Sequence, residues 1–276
     1  MGKLRIAFLS PAMVVTWALF ILPMGIICGY SLLNRGAYGG VTPPWTIDNY
    51  RRVFDPLYGA IVWRSLWIAA VSTLLCLVLG FPLAFFIARA RRHRTLLLNL
   101  VMLPFWTSFL IRTYAWMFLL RDTGLVNTLL GSMHLIRKPL PLLFNDGAVI
   151  LGLVYGYLPF MVLPLFATLE KLDPALLDAA QDLGAHPITT IWRVVLPLSK
   201  SGILAGSLLV FIPCLGAYLT PDLLGGGKSV MIGNLVQNQF TTARDWPFGS
   251  AISLLIMGAV LLLLLSIAGR RKETLL

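Results

Sequence analysis

Residues 65–88 read SLWIAAVSTLLCLVLGFPLAFFIA, a stretch without a charge, and residues 89–95 follow at once as RARRHRT. A helix needs about 20 predominantly apolar residues to cross a hydrocarbon layer about 30 Å thick. The first segment is long enough, and the second is a basic stop at its end. Working outward, charge-free runs of similar order are Ile6–Asn34, Gly147–Leu169, Ser201–Pro221 and Trp246–Gly269. A further run, Thr95–Ile111, is interrupted only by Arg112 and continues to Leu120. The expected fold class is an all-α integral membrane protein with six transmembrane helices.

Composition agrees. The chain is 58% hydrophobic and 12% charged, whereas soluble domains are about half apolar and about a quarter charged. No soluble core could hide that surface. The net charge of +11 does not point to nucleic acid, because the bases cluster at the ends of apolar runs, where they set membrane orientation. Cys28, Cys76 and Cys214 all lie inside apolar runs. They read as small buried hydrophobes, without disulfide or metal-ligand spacing. Lys3 and Arg5 before an apolar run imitate a secretory signal, but Ile6–Asn34 is 29 residues long. That is about twice a signal's apolar region, so a retained first helix is expected.

Orientation follows from Lys and Arg in the short connections. Arg89, Arg91, Arg92 and Arg94 mark their loop as cytoplasmic. Lys3 and Arg5 at one end and Arg270, Arg271 and Lys272 at the other must then share that side, and both ends are basic. The outward segments are Arg35–Arg64, Arg121–Asp146 and Asp222–Asp245, where six acids dilute the bases. Prolines recur within the spans at 11, 23, 82, 104, 159, 164 and 213. Each removes a backbone donor and tends to kink a helix, which suits a transport path as well as ordinary bundle packing.

The cytoplasmic segment between the fourth and fifth spans is the most informative. Asp173-Pro174 is a good helix start. Leu176, Leu177, Ala180 and Leu183 recur at helical spacing, and Gly184 is a plausible stop. A second short helix is expected from about Pro187 into the fifth span. A helical hairpin with an apolar face outside the bilayer calls for a protein partner.

That hairpin resembles a known family. Permeases of ABC importers carry Glu-Ala-Ala, three residues, Gly, nine residues, Ile, one residue, Leu-Pro. Here Asp178-Ala179-Ala180 is followed by Gly184, Val194 and Leu196-Pro197 at the same spacing, with Asp for Glu and Val for Ile. The likeness covers nearly the whole chain and sharpens to the spermidine/putrescine permease group. It includes Ile47-Asp48-Asn49-Tyr50, Pro104 to Arg112, Leu158-Pro159-Phe160-Met161-Val162, Asp222-Leu223-Leu224-Gly225-Gly226 and Asp245-Trp246-Pro247.

The resemblance implies a type I ABC importer permease fold. Residues 1–62 would form helix 1 and the first outer loop, and 63–269 the permease domain with a coupling hairpin at 170–200. Residues 270–276 would be a basic cytoplasmic tail. It also implies an ATP-driven importer of polyamines in a bacterial cytoplasmic membrane, with both termini cytoplasmic. The partners would be a second homologous permease, two ATP-binding cassette ATPase subunits and an extracytoplasmic substrate-binding protein. ATP and Mg would sit on the ATPases, with no cofactor in this chain. Contacts to the ATPase would come from Asp178, Ala179, Ala180, Leu183, Gly184, Ile191 and Trp192.

Gly227-Lys228-Ser229 invites a phosphate-loop reading, but that motif needs glycine five residues before its Gly-Lys pair, where Asp222 stands. No predicted span contains Asp or Glu, so a polycation would have to rely on aromatic faces, worth about 0.5–2 kcal/mol each. Candidates are Trp106, Tyr114, Tyr155, Tyr157 and Tyr218, with Asp222 the nearest carboxylate. Arg112 is the one ionisable residue well inside a span; it is expected to snorkel outward or pair with Asp122, or else to take part in gating. His93, His134 and His186 cluster with nothing, and no catalytic constellation or metal set is evident. Other cargoes within the same mechanism are iron, sulfate or an amino-acid derivative. An ATP-independent carrier or channel is the distant alternative.

Overall fold

The structure is a computed structural model. It describes the backbone of residues 2–90 and 92–273, and side chains for 10–11, 13–90, 92–267 and 269. Arg91, the tail residues 274–276 and the side chains of Lys3, Arg5, Arg270, Arg271 and Lys272, on which part of the orientation argument rests, lie outside the described residues. The chain folds as two compact units. One is residues 61–234; the other is the chain up to 60 together with the chain from 235 onward.

In chain order the helices are α1 Gly2–Ser31, α2 Asp48–Val53, α3 Pro56–Arg89, α4 Arg94–Met102, α5 Phe109–Leu120, α6 Leu125–Ser132 and α7 Asp146–Leu169. They continue with α8 Ala175–Asp182, α9 Pro187–Thr190, α10 Leu196–Leu198, α11 Lys200–Leu215, α12 Leu219–Gly225, α13 Ile232–Phe240 and α14 Trp246–Glu273. Two strands of two residues, β1 Asn34–Arg35 and β2 Val41–Thr42, pair antiparallel in the first outer loop. Among the described residues four helices are individually long and apolar enough to cross a membrane; they lie in α1, α3, α7 and α14. Two bent pairs make up six if each counts as one span: Arg94–Trp106 with Phe109–Ser132, bent by 84°, and Pro187–Leu198 with Lys200–Leu215, bent by 72°.

Those bends are where hydropathy alone misleads. The run from Thr95 to Leu120 is not one helix. After a 3-10 turn at Leu103–Trp106, Thr107 is extended and Ser108 has ψ 133°, so α5 starts afresh at Phe109. The run Ser201–Pro221 is also divided. α11 ends at Leu215, and α12 begins at Leu219. Thr, Ser, Gly and Tyr carry no charge, so none of them interrupts an apolar run, although each accepts a non-helical backbone. Pro82, Pro159, Pro164 and Pro213, by contrast, stay inside continuous helices.

Within residues 61–234 the core forms around α7. Residue size sorts the helices here, since hydrophobicity cannot distinguish lipid from protein interior. Along α3 the buried stripe is Ser65, Ile68, Ala69, Ser72, Thr73, Cys76, Gly80, Ala84 and Ile87, at helical spacing. Leu74, Val78 and Phe86 point outward. Small residues admit close approach: Gly80 lies against Met161, and Gly206 against Met161 from α11. Gly202, one turn earlier, faces Thr168 and the Pro164 carbonyl so closely that a Cβ would stand 2.8 Å from that oxygen. Gly152 receives Leu224 and Thr220 of α12. The Cys76 thiol donates to the Val154 carbonyl at 3.7 Å.

In the other unit, two of the family-like motifs prove to be clasps. Asn49 is buried, and its amide donates to the carbonyls of Ser31 and Leu33 at 3.0 and 2.8 Å, closing the end of α1. The Tyr50 hydroxyl lies 2.8 Å from Ser31 Oγ. Asp245 is buried at the start of α14, where Oδ1 accepts from the Phe248 N–H at 3.2 Å. Arg52 donates to its Oδ2 at 3.0 Å while lying 4.2 Å over the Phe248 ring.

Candidate coupling hairpin and transport path

The hairpin between α7 and α11 is built by local rules. Asp173 caps it: Oδ1 accepts from the Ala175 N–H at 3.0 Å, and its carbonyl from the Leu176 N–H at 3.1 Å. Asp178, Ala179 and Ala180 fall within α8. At the other end Gly184 adopts φ +76°. The Gly184 N–H bonds to the Gln181 carbonyl at 2.8 Å, and the Ala185 N–H to the Ala180 carbonyl at 3.0 Å. This bond pair is a Schellman closure, which wants glycine for its left-handed residue. α9 then opens with Pro187 at its first position. Ile191–Val195 widens into a π turn just ahead of Pro197, whose missing N–H cannot continue the regular ladder.

Burial in this hairpin is one-sided. Leu177, Thr190 and Val195 are buried. Leu183 is 88% exposed and Trp192 68% exposed, and Ile188 is exposed as well. Ile191 is half-buried, and Asp178 and Ala179 are open to solvent. A Cβ built on Gly184 meets nothing within 4 Å. The hairpin therefore presents large apolar side chains beside an acid and small residues, a composition suited to docking.

The base of the hairpin carries an ion pair that sequence patterning did not reveal. Arg94 Nη1 pairs with Glu170 Oε1, and the guanidinium lies 5.8 Å from the Phe166 ring centroid. The two residues are far apart in sequence, and Arg94 sits in a cluster already explained as an orientation signal. Opposite charges at the ends of two apolar runs were the only available hint.

Of the aromatic candidates, Tyr157 and Tyr218 line one cavity of about 220 Å³, together with Phe109, Pro213 and Thr220. Tyr157 also lies against Phe160, with centroids 6.1 Å apart. Tyr155 is edge-on to Trp116 at 5.5 Å. Trp106 and Tyr114 are exposed, as is Asp222 on α12, and none of these three lines that cavity.

Arg112 differs from expectation. It is 9% exposed and does not snorkel, and among the described residues no acid, Asp122 included, pairs with it. Its guanidinium lies 5.6 Å from the Phe109 ring and 6.0 Å from that of Phe105, and Nε and Nη1 have no hydrogen-bond partner. The break at Thr107–Ser108 folds Phe105 back beside the first turn of α5, which encloses the side chain. The Gly-Lys-Ser stretch is likewise structural. Ser229 Oγ donates to Asp146, Arg64 donates to the Lys228 carbonyl, and Arg64 pairs with Asp146 at 3.5 Å. Among the described residues no cluster of His, Cys, Asp and Glu could hold a metal ion.

The architecture is that of a type I ABC importer permease. A bacterial ABC transporter involved in the import of the acidic polysaccharide alginate has a chain that superimposes with a TM-score of 0.74 at 19% identity, over 98% of this chain and 96% of that one. The MetNI methionine ABC transporter, in an inward-facing conformation, gives a TM-score of 0.55 at 19% identity, covering 78% of this chain and 93% of that one. Residues 77–272 match the binding-protein-dependent transport system inner membrane component family, and the chain belongs to that family. It is thus a multi-pass inner-membrane permease. It is 46% identical to the spermidine/putrescine transport system permease protein PotB of Escherichia coli, over 90% of this chain and 93% of the relative. Haemophilus influenzae PotB is 43% identical over 89% and 87%. The E. coli inner membrane ABC transporter permease protein YdcU is 36% identical over 78% and 72%.

Proposed function

We propose that this chain is a permease subunit of an ATP-driven importer for polyamines such as spermidine and putrescine. The observation that carries the reading is 46% identity with a spermidine/putrescine permease along 90% of this chain. A second, homologous permease completes the path, two ATPase subunits bind ATP and Mg, and an extracytoplasmic binding protein delivers the cargo. Both termini and the hairpin face the cytoplasm, in keeping with the basic loop at 89–95. ATP-driven closure of the ATPases moves the hairpin through Asp178, Ala179, Ala180, Leu183, Gly184, Ile191 and Trp192, and the spans alternate between inward-open and outward-open states. Cargo is held weakly in transit by Tyr157 and Tyr218, with Trp106, Tyr114, Tyr155 and Asp222 along its approach. Weak binding suits passage, because tight recognition can reside in the binding protein.

One observation favours a second cargo class. A buried Arg112 with no acid paired to it would attract an anion such as sulfate. Extraction in mild detergent should retain ATPase subunits on this chain, and polyamine-loaded binding protein should stimulate their ATP hydrolysis. Absence of any ATPase would refute the permease assignment. Stimulation by sulfate-loaded protein in place of polyamine-loaded protein would overturn the cargo alone.

A further inference from the structure

We propose that Arg94 is a positioning residue for transport, joining the base of the hairpin to a strut that moves the wall of the aromatic cavity. This inference rests on the coupling role given to the hairpin above. α4 has no fully buried residue, only Leu97, Leu98, Val101 and Met102 half-buried, so core packing holds it weakly. Two clasps fasten it to α7. At one end Arg94 pairs with Glu170 and covers Phe166. At the other end Phe105 meets Phe160 edge-on, with centroids 5.2 Å apart.

The spacing of the clasps is consistent with a strut. From Phe160 to Glu170 is about 15 Å along an α-helix at about 1.5 Å per residue, and from Arg94 to Phe105 about 18 Å, its last three residues rising about 2.0 Å each in the 3-10 turn. The two ends of this segment thus meet α7 in reversed order, at positions about three turns apart. Glu170 ends α7, its N–H bonded to the Phe166 carbonyl at 2.8 Å, and α8 opens at Ala175. A displacement of the hairpin is delivered to this last turn first. Through Arg94 it passes to α4, and through the break at Thr107–Ser108 to α5, whose first residue, Phe109, lines the cavity with Tyr157 and Tyr218. Both partners of the ion pair are partly exposed, so its contribution to stability is small and its effect on coupling is separable from folding.

The test uses the complete assembly in proteoliposomes, with cargo transported per ATP hydrolysed as the readout. Arg94→Gln and Glu170→Gln should each lower that ratio by about twofold to thirtyfold, the range of side chains that modulate coupling. ATPase subunits should remain bound and ATP hydrolysis should continue. The exchanged double variant, Arg94→Glu with Glu170→Arg, should recover most of the loss, which places the effect in the pair, and the single variants should keep the wild-type melting temperature, which a merely structural role would lower. Single variants with wild-type stoichiometry, or an exchange as poor as the single variants, would overturn the strut. Failure of the wild-type assembly to hydrolyse ATP or transport would instead count against the coupling reading itself.

Discussion

Gly184 allows a conformational requirement to be separated from a steric one. At φ +76° an L side chain crowds the following carbonyl, at a cost of about 1–2 kcal/mol. A Cβ there meets nothing within 4 Å of the fold, so no packing penalty adds to that figure. Gly184→Ala should thus shift closure of the α8 turn by about fivefold to thirtyfold. Asn enters this region more readily, so Gly184→Asn should lose less, and the β-branched Gly184→Val most. Membrane abundance should stay constant across the series, because the site lies outside the apolar spans. The assay is ATPase retention after detergent extraction, together with uptake of the proposed cargo. The expected order is Gly, Asn, Ala, Val. Equal activity across all four would refute the argument from backbone strain. An Asn variant as inactive as Val would show that the docking partner, and not φ, excludes side chains here.

The packing argument predicts opposite outcomes at two glycines. Gly202→Ala drives a Cβ to 2.8 Å from the Pro164 carbonyl and 2.5 Å from Thr168 Oγ1, and should destabilise by about 1–3 kcal/mol. Gly258→Ala, with open space around it in α14, should leave the melting temperature in detergent unchanged or raise it, alanine being favoured in helices by up to about 1 kcal/mol. Asp245→Ala removes the cap of α14, for about 1–2 kcal/mol, and also leaves Arg52 without its carboxylate. Asp245→Asn keeps an accepting oxygen and should fall between wild type and Ala in the same melting assay.

Much of this fold was readable because charge and length constrain a membrane chain so tightly. The run before Arg89 became α3, and the Asp173-Pro174 start and Gly184 stop of α8 are visible in its hydrogen bonds within one residue of expectation. The breaks at Thr107–Ser108 and between Leu215 and Leu219 were hidden, since polar but uncharged residues do not interrupt an apolar run. Pro104 marked one of them only as a kink. Arg112, eight residues before Leu120, was expected to snorkel outward or pair with Asp122 unless it took part in gating. The bend changed its surroundings. The Arg94–Glu170 pair was out of reach for another reason: it joins segments distant in sequence, and its basic partner already had a sufficient explanation in topology. Residue size along α3 held information that hydropathy discards, with serine, alanine, glycine and cysteine facing inward.

Where this molecule can yield follows from how unevenly it is packed. The hairpin leaves α7 and returns into α11, and those helices approach so closely at Gly202 and Gly206 that sliding one past the other would force atoms into backbone. Close-packed interfaces of this kind move between discrete arrangements and do not deform continuously. A load on the hairpin would therefore turn the pair as a body. The compliant places are the non-helical joints at Thr107–Ser108 and Ser199. One joint lies directly before Phe109 and the cavity, the other directly before α11. Motion is thus admitted beside the aromatic cavity and at the root of the hairpin, while the helices between them remain rigid enough to transmit it.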